Sequence, residues 1–185
     1  NVKLNLFSKS SCTGTQFMQA VGAAEAGRYL KSIKLKDSPH YENDELVYVS
    51  TGDGTTSQGE FWESLTTAVV NKLPVLYLVE DNGFAISVPV SVQTPRGSIS
   101  EALKNFPDLK IFTCDGNCPI DSYEVAEKAA AYVRAGKGPV LVHAFCTRPY
   151  SHSLSDDHRF YRTENELEEE GKRDVVKTFP AFLIE

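Results

Sequence analysis

The sequence predicts an α/β protein, a three-layer α/β/α sandwich around a mainly parallel sheet. Two observations carry this. Short runs rich in β-branched and aromatic residues alternate with longer runs of helical periodicity. Residues 75–79 are almost continuously apolar, as expected of a strand covered on both faces. Strands alternating with helices connect most simply as right-handed crossovers, which leave helices on both sides of an open sheet.

Each element has its own signal. Residues 1–13 are polar and hard to place. "TQFMQAVGAAEAGRYLK" reads as a helix from Thr15, with Phe17, Val21, Ala24 and Leu30 on a rough apolar face. "SIKLKDSPHYENDE" reads as a surface turn, broken by Pro39 and acidic residues. "ELVYVST" is a buried strand candidate. A polar turn over residues 52–59 follows, where Ser57 and Glu60 have capping-box spacing. The next helix places Phe61, Trp62, Leu65, Ala68 and Val69 on one side and ends near Leu73 and Pro74. "VLYLVEDNG" is a strand and its exit. "AISVPVSVQTPRGS" reads as an extended loop whose prolines prevent regular pairing. "SISEALKNF" is a short helix, "LKIFTCDGN" a strand and turn, "SYEVAEKAAAYVRAGKG" a helix with a glycine stop, and "PVLVHAF" a further strand. "ENELEEEGKRD" reads as a charged helix face.

Composition bounds the function. The 185 residues suffice for one hydrophobic core and scarcely for two, so residues 1–185 read as one domain. Its core spans about residues 8–150, a loop covers 148–163, and a charged helical segment covers 164–185. A net charge of -6 argues against a nucleic-acid or anionic-membrane surface, while leaving room for a small anionic ligand. No apolar run reaches membrane-spanning length, and no signal peptide is visible. The chain lacks an initiator Met and reads as a piece of a longer one. The four cysteines, Cys12, Cys114, Cys118 and Cys146, read as scattered buried thiols in a reducing compartment.

Ligands of open α/β sheets sit outside the carboxyl ends of the strands. Asp53, Asn82, Asp115 and Arg148 all follow strand candidates, so the fold should bring them to one sheet edge. Asp53 alone could be a turn residue. The glycines around it permit close approach of a phosphate, and the following helix could present free amides. Neither G-x-G-x-x-G nor G-x-x-x-x-G-K-[ST] occurs. Asn82 leaves the next strand, so it can face Asp53 across adjacent strand ends. A carboxylate, an amide oxygen and a backbone carbonyl near Gly83 and Phe84 suit Mg²⁺, which completes its shell with substrate phosphates. His143 lies in an apolar strand and reads as a satisfied core or edge residue. His158 reads as loop surface. Arg148 reads either as a cation for the site or as a surface ion pair. Asp156 and Asp157 could pair with Arg159 or Arg162.

At this point the residues resemble a known family. "GDGTTSQGE…EDNGFAIS" resembles the thiamine-diphosphate motif, "SSCTGTQFMQAVGAA" the stretch before it, and "CTRPYSHSLSDDHRFYRT" the serine-bearing active-site loop after it. Together, over residues 8–165, they resemble the α-type portion of 2-oxo acid dehydrogenases, the decarboxylating first components of multienzyme complexes. "DNGFAIS", "SHSLSDD" and "FYRT" look closest to the branched-chain (2-oxoisovalerate) type.

The resemblance implies a diphosphate-domain fold, with thiamine diphosphate and Mg²⁺ as cofactors. It implies metal binding by Asp53, Asn82 and the Phe84 carbonyl. It implies cofactor contacts from Ser11, Thr13, Gly52, Asp53, Gly54, Thr55, Asn82, Phe84, Ala85, Ile86, Arg148 and His152. His152 is the catalytic-loop histidine, Ser153 matches a serine phosphorylated in mitochondrial relatives, and Thr15 and Gln16 fall where some relatives hold a monovalent cation. Ser151 stands where branched-chain relatives often have His, Tyr150 where pyruvate-type relatives have one, and Glu80 where some have a diphosphate-binding Arg.

The implied reaction decarboxylates a 2-oxo acid and passes the acyl group to a lipoyl group on a partner acyltransferase. The Glu that activates the cofactor is supplied by a β-type subunit or fused β-type domain, in an α2β2 or fused homodimeric assembly. The isolated chain is expected to be inactive. The implied compartment is the cytoplasm in a bacterium or the mitochondrial matrix in a eukaryote. Pyruvate or acetoin as substrate, and a cofactor-free interaction domain of the same fold, stand as alternatives.

Overall fold

The computed structural model describes residues 6–8, 10–33 and 44–184. The surface turn expected over residues 32–45 lies largely outside them. Helix α1 (Thr15–Ser32) precedes strand β1 (Val47–Gly52), which runs through a 3-10 turn (Asp53–Ser57) into α2 (Gly59–Val70). Strand β2 (Val75–Asp81) leads to a small hairpin, β3 (Phe84–Ala85) and β4 (Val88–Pro89). Short helices α3 (Val90–Gln93) and α4 (Ile99–Ala102) follow. Then come β5 (Lys110–Asp115), α5 (Pro119–Arg134), β6 (Val140–Phe145), α6 (Glu164–Lys172) and α7 (Val175–Ile184). No helix among the described residues is long and apolar enough to cross a membrane.

The main sheet has the order β1-β2-β6-β5, with every pair parallel. The chain steps one way from β1 to β2 and the opposite way from β5 to β6. Right-handed crossovers therefore put α2 and α5 on opposite faces. The core divides accordingly. Phe17, Phe61, Leu65, Val75, Tyr77, Val79 and Leu141 form one cluster, and Leu76, Val125, Ala129, Val133, Val140 and Val142 the other. The split follows the two-residue alternation of β2 and β6. Buried Phe17, Ala20, Val21 and Ala24 lie at helical spacing along α1. Phe17 meets Phe61 edge-on, with ring centroids 5.3 Å apart. Helix α5 places Val125, Ala129 and Val133 in one row, and Gly136, at φ +70, takes the left-handed conformation just past its end.

Four local expectations are corrected. Residues 84–89 pair as a hairpin instead of forming an extended loop. Pro89 is tolerated there because the pair has few ladder bonds and needs no N–H from it. The capping box is absent from α2: its N-cap is Gln58, without a side-chain bond. Ser57 belongs to the preceding 3-10 turn, and its Oγ accepts from Gln93 Nε2 at 3.0 Å. The box occurs instead at Thr163 and Glu166, opening α6. Of the cysteines, all free, only Cys114 is buried, and Cys12 is exposed. The charge of the C-terminal segment is concentrated in α6 and the turn after it; α7 is largely apolar apart from Lys177.

Candidate functional site

The β1/β2 register pairs Gly52 with Glu80, so the two strands end side by side. Asp53 follows at once. It is only 2 % exposed, and neither carboxylate oxygen has a hydrogen-bond partner among the described residues. Burial, and secondarily the negative charge of Asp81, push its carboxyl above the ordinary value, while the nearby main-chain amides of Asn82 and of Asp53 itself, and last Arg148, pull the other way. A buried, unpartnered carboxylate is costly. It makes physical sense where a cation arrives.

The turn that carries Asp53 is held from outside. Gln93 Nε2 donates to the main-chain oxygens of Asp53 at 3.0 Å and Gly54 at 3.2 Å. Thr56 Oγ1 donates to Asp53 O at 2.7 Å. Gly54 permits close approach of the hairpin: a Cβ there would lie 2.8 Å from Ala85 Cβ. Gln93 was missed in the sequence, because nothing local connects it with a turn so distant in the chain.

Asn82 opens the exit of β2. Its Oδ1 accepts the Phe84 N–H at 3.3 Å, and Asp81 Oδ1 accepts the Gly83 N–H at 2.8 Å. Gly83 has φ +80, which a side chain would strain. The Val90 N–H donates to Gly83 O at 2.8 Å, which makes Phe84 and Pro89 a pair without ladder bonds and turns the Phe84 carbonyl away from β4. At the hairpin tip Ile86 has φ +58, an uncommon conformation for a β-branched residue. Its carbonyl accepts from Arg148 Nη2 at 2.8 Å.

Arg148 follows β6 and ties the later loop to this hairpin. Nη2 also donates to Tyr161 Oη at 2.8 Å. The guanidinium lies 5.7 Å from the Phe84 ring centroid and 6.0 Å from that of Tyr161. Its Nε and Nη1 are buried without partners, and it makes no ion pair among the described residues. The surface-pair reading of Arg148 therefore falls.

The loop root is pinned by Arg162, which is buried, pairs with Glu170, and donates to Arg148 O at 3.0 Å. Glu170 is thus not a merely solvated member of its helix face. Asp157 pairs with Arg159, whose hydrogen bond pulls the Asp157 carboxyl down to about 2. Asp156 instead accepts from Tyr161 Oη at 2.7 Å and from the His152 N–H at 2.9 Å. Those bonds hold its carboxyl below the ordinary value.

The remaining expected residues divide. His152 and Ser153 are exposed on the loop, and the His152 ring makes no hydrogen bond among the described residues. Ser11 and Thr13 are exposed in the turn before α1, with no hydrogen bond to Asp53 or Asn82. Thr15 Oγ1 bonds Cys12 O at 3.0 Å, and Gln16 Nε2 reaches Ser50 O at 3.5 Å. Asp115 does stand at the same sheet edge, but on the outermost strand, where it accepts from Asn117 at 2.9 Å and pairs with Arg173. His143 is fully buried in β6, with both ring nitrogens bonded. His158 is half-buried in a 3-10 turn rather than simply on the surface. Cys146 is pushed up to about 12 by burial and then by Glu80, Asp81, Asp53 and Glu170, which leaves it a poor nucleophile.

No three His, Cys, Asp or Glu side chains converge on a metal site among the described residues. An ion here would need mixed oxygen donors: the Asp53 carboxylate, the Asn82 amide and the Phe84 carbonyl, completed by oxygens of its ligand. That is the donor chemistry of Mg²⁺. Unpartnered acceptors on Asp53 and unpartnered donors on Arg148 fit a cation bound together with an anionic group.

Fold and site thus define a class: an α/β/α domain that gathers buried acceptors and donors at the carboxyl ends of parallel strands. The sequence profile described as "Dehydrogenase E1 component" matches residues 2–185, and the chain belongs to that family. It is 35% identical over 183 residues to the 2-oxoisovalerate dehydrogenase subunit alpha of Bacillus subtilis, covering 99% of this chain and 52% of that protein. It is 38% identical over 149 residues to the pyruvate dehydrogenase E1 component subunit alpha of Mycoplasma genitalium, covering 79% of this chain and 41% of the relative. A 3-methyl-2-oxobutanoate dehydrogenase subunit alpha from Mycobacterium tuberculosis is 34% identical over 172 residues, which is 92% of this chain and 43% of that protein. The chain thus spans about half the length of these curated relatives.

Proposed function

We propose that this chain is the α-type part of a thiamine-diphosphate-dependent 2-oxo acid dehydrogenase, with Mg²⁺ held by Asp53, Asn82 and the Phe84 carbonyl. The observation that carries this reading is the Asp53 carboxylate, buried with both oxygens unpartnered beside the exit of β2. When bound, the cofactor supplies an electron sink for loss of carbon dioxide from a 2-oxo acid. The chain's residues bind and orient it. Arg148 offers Nε and Nη1 to phosphate oxygens, and the turn at Gly52, Gly54 and Thr55 lets backbone approach the diphosphate. Phe84, Ala85 and Ile86 form the apolar side that excludes water. His152 would meet the diphosphate from the loop, and Ser11 and Thr13 would hold the cofactor from the turn before α1.

The group that activates the cofactor comes from a β-type subunit or fused domain. The acyl group passes to the lipoyl arm of a partner acyltransferase. The substrate is a branched-chain 2-oxo acid. The motifs "DNGFAIS" and "SHSLSDD" and the 2-oxoisovalerate and 3-methyl-2-oxobutanoate relatives support that choice. The likeness to pyruvate dehydrogenase subunits favours pyruvate as the second reading. Calorimetry of thiamine diphosphate binding with and without Mg²⁺ tests the site. A panel of 2-oxoisovalerate, pyruvate and acetoin on the assembled enzyme tests the substrate. Cofactor binding that ignores Mg²⁺ overturns the metal assignment, and preferential turnover of pyruvate overturns the branched-chain one.

A further inference from the structure

We propose that His143 is a positioning residue for the cation-binding turn, acting through Asp81; this rests on the metal reading given above. The β2/β6 register sets Val79 opposite His143 and Asp81 opposite Phe145. Alternation then places His143 and Asp81 diagonally on the same face of the sheet. Val79 belongs to the core cluster of that face, together with Ile99 and Leu103 from the α4 region.

His143 is 0 % exposed, so both ring nitrogens need partners. Nε2 lies 2.8 Å from Asp81 Oδ2, and Nδ1 lies 2.9 Å from Ser100 Oγ in α4. A carboxylate only accepts, which puts a proton on Nε2; in the neutral ring Nδ1 is then the acceptor of the Ser100 hydroxyl. Ser98 Oγ is 3.1 Å further out.

On the other side, Asp81 Oδ1 receives the Gly83 N–H, and the Asp81 carbonyl receives the Cys146 N–H at 2.8 Å. Asp81 is therefore held at both carboxylate oxygens and at its backbone. A carboxylate so occupied cannot swing round to compete with Asn82 for the ion. Its hold on Gly83 also fixes the turn that carries the Asn82 amide and the Phe84 carbonyl. Removing the imidazole's hold on Oδ2 frees both motions. Partners one step behind a metal's ligands commonly alter affinity by about 10–100-fold.

Two amide substitutions separate the bonds. Glutamine places its amide where Nε2 lies and retains a donor for Asp81. Asparagine reaches only to the Nδ1 position, so it keeps Ser100 and loses Asp81. Mg²⁺ titrations at saturating thiamine diphosphate are to be run on the full gene product with its co-purifying subunits. We expect His143→Gln to remain within about threefold of the unchanged protein and His143→Asn to bind Mg²⁺ at least about tenfold more weakly. Without cofactor, amide hydrogen exchange over residues 82–84 should quicken in His143→Asn and not in His143→Gln. Equal Mg²⁺ affinities of the two variants overturn the proposal. If His143→Asn does not fold, Asp81→Ala decides: about tenfold weaker Mg²⁺ binding supports the relay, and unchanged binding overturns it. Unchanged protein that binds the cofactor without regard to Mg²⁺ overturns the site reading itself, a result distinct from equal variants.

Discussion

Asp53→Asn should make the cofactor-free protein more stable and leave it deaf to its cofactor. The side chain is 2 % exposed, and both oxygens lack partners. A buried group without partners costs about 1–3 kcal/mol, and a charge costs more. Asparagine keeps the size, removes the charge and remains polar, so the lower end applies, a gain of about 1 kcal/mol. For a chain of this size that raises Tm by about 2–4 °C. The unchanged protein at about 100 times the cofactor's Kd gains about 2.7 kcal/mol from binding, an upward shift of about 5–11 °C. The variant should show the first shift and lose the second, because an amide is a poor substitute for the only carboxylate offered to the ion. Thermal melts with and without thiamine diphosphate and Mg²⁺ read both shifts. A cofactor-free Tm below that of the unchanged protein, with the ligand-induced shift intact, refutes the reasoning.

Gly54→Ala brings a Cβ to 2.8 Å from Ala85 Cβ and 3.3 Å from Ala85 Cα, so the hairpin must move. We expect a loss of about 1–3 kcal/mol in chemical denaturation and weaker cofactor binding. Adding Ala85→Gly should restore part of both; no recovery in the double variant places the clash elsewhere. At pH 8, thiol labelling followed by peptide mapping should modify exposed Cys12 well before Cys146, whose thiol burial and surrounding carboxylates push up to about 12. Equal labelling rates contradict the placement of Cys146.

The strands were legible because two independent rules agreed on them. Residues 75–79 are apolar without alternation, and the structure covers both their faces. The placement of Asp53 and Asn82 at adjacent strand ends was legible for a related reason: parallel strands end on one edge, so the exits of neighbouring strands lie side by side. The same rule brought Asp115 to that edge, but it does not say which strands are neighbours. Order β1-β2-β6-β5 puts Asp115 at the far side of the sheet. The α2 cap misled for a local reason, since Ser57 has the spacing of a cap but is spent on the turn before it. Gln93, Ser100 and His143 carried no local sign at all. Each acts on a partner about forty or more residues distant, through one hydrogen bond or a few.

Glu80 shows how much a single step along a strand decides. In the sequence it stands beside Asp81 and Asn82, where an acid should repel a diphosphate. In β2 the alternation sends Glu80 to the face of Leu76 and Leu78, exposed, and Asp81 to the face of Val79. The two acids therefore meet different surroundings. Glu80 is solvated on the α5 side, while Asp81 is buried and held by His143 and Gly83. The acid that bears on the site is the one whose charge reaches Asp53 from within the same face, and it is bound at both oxygens. Asp53, bound at neither, is left as the carboxylate a cation can claim.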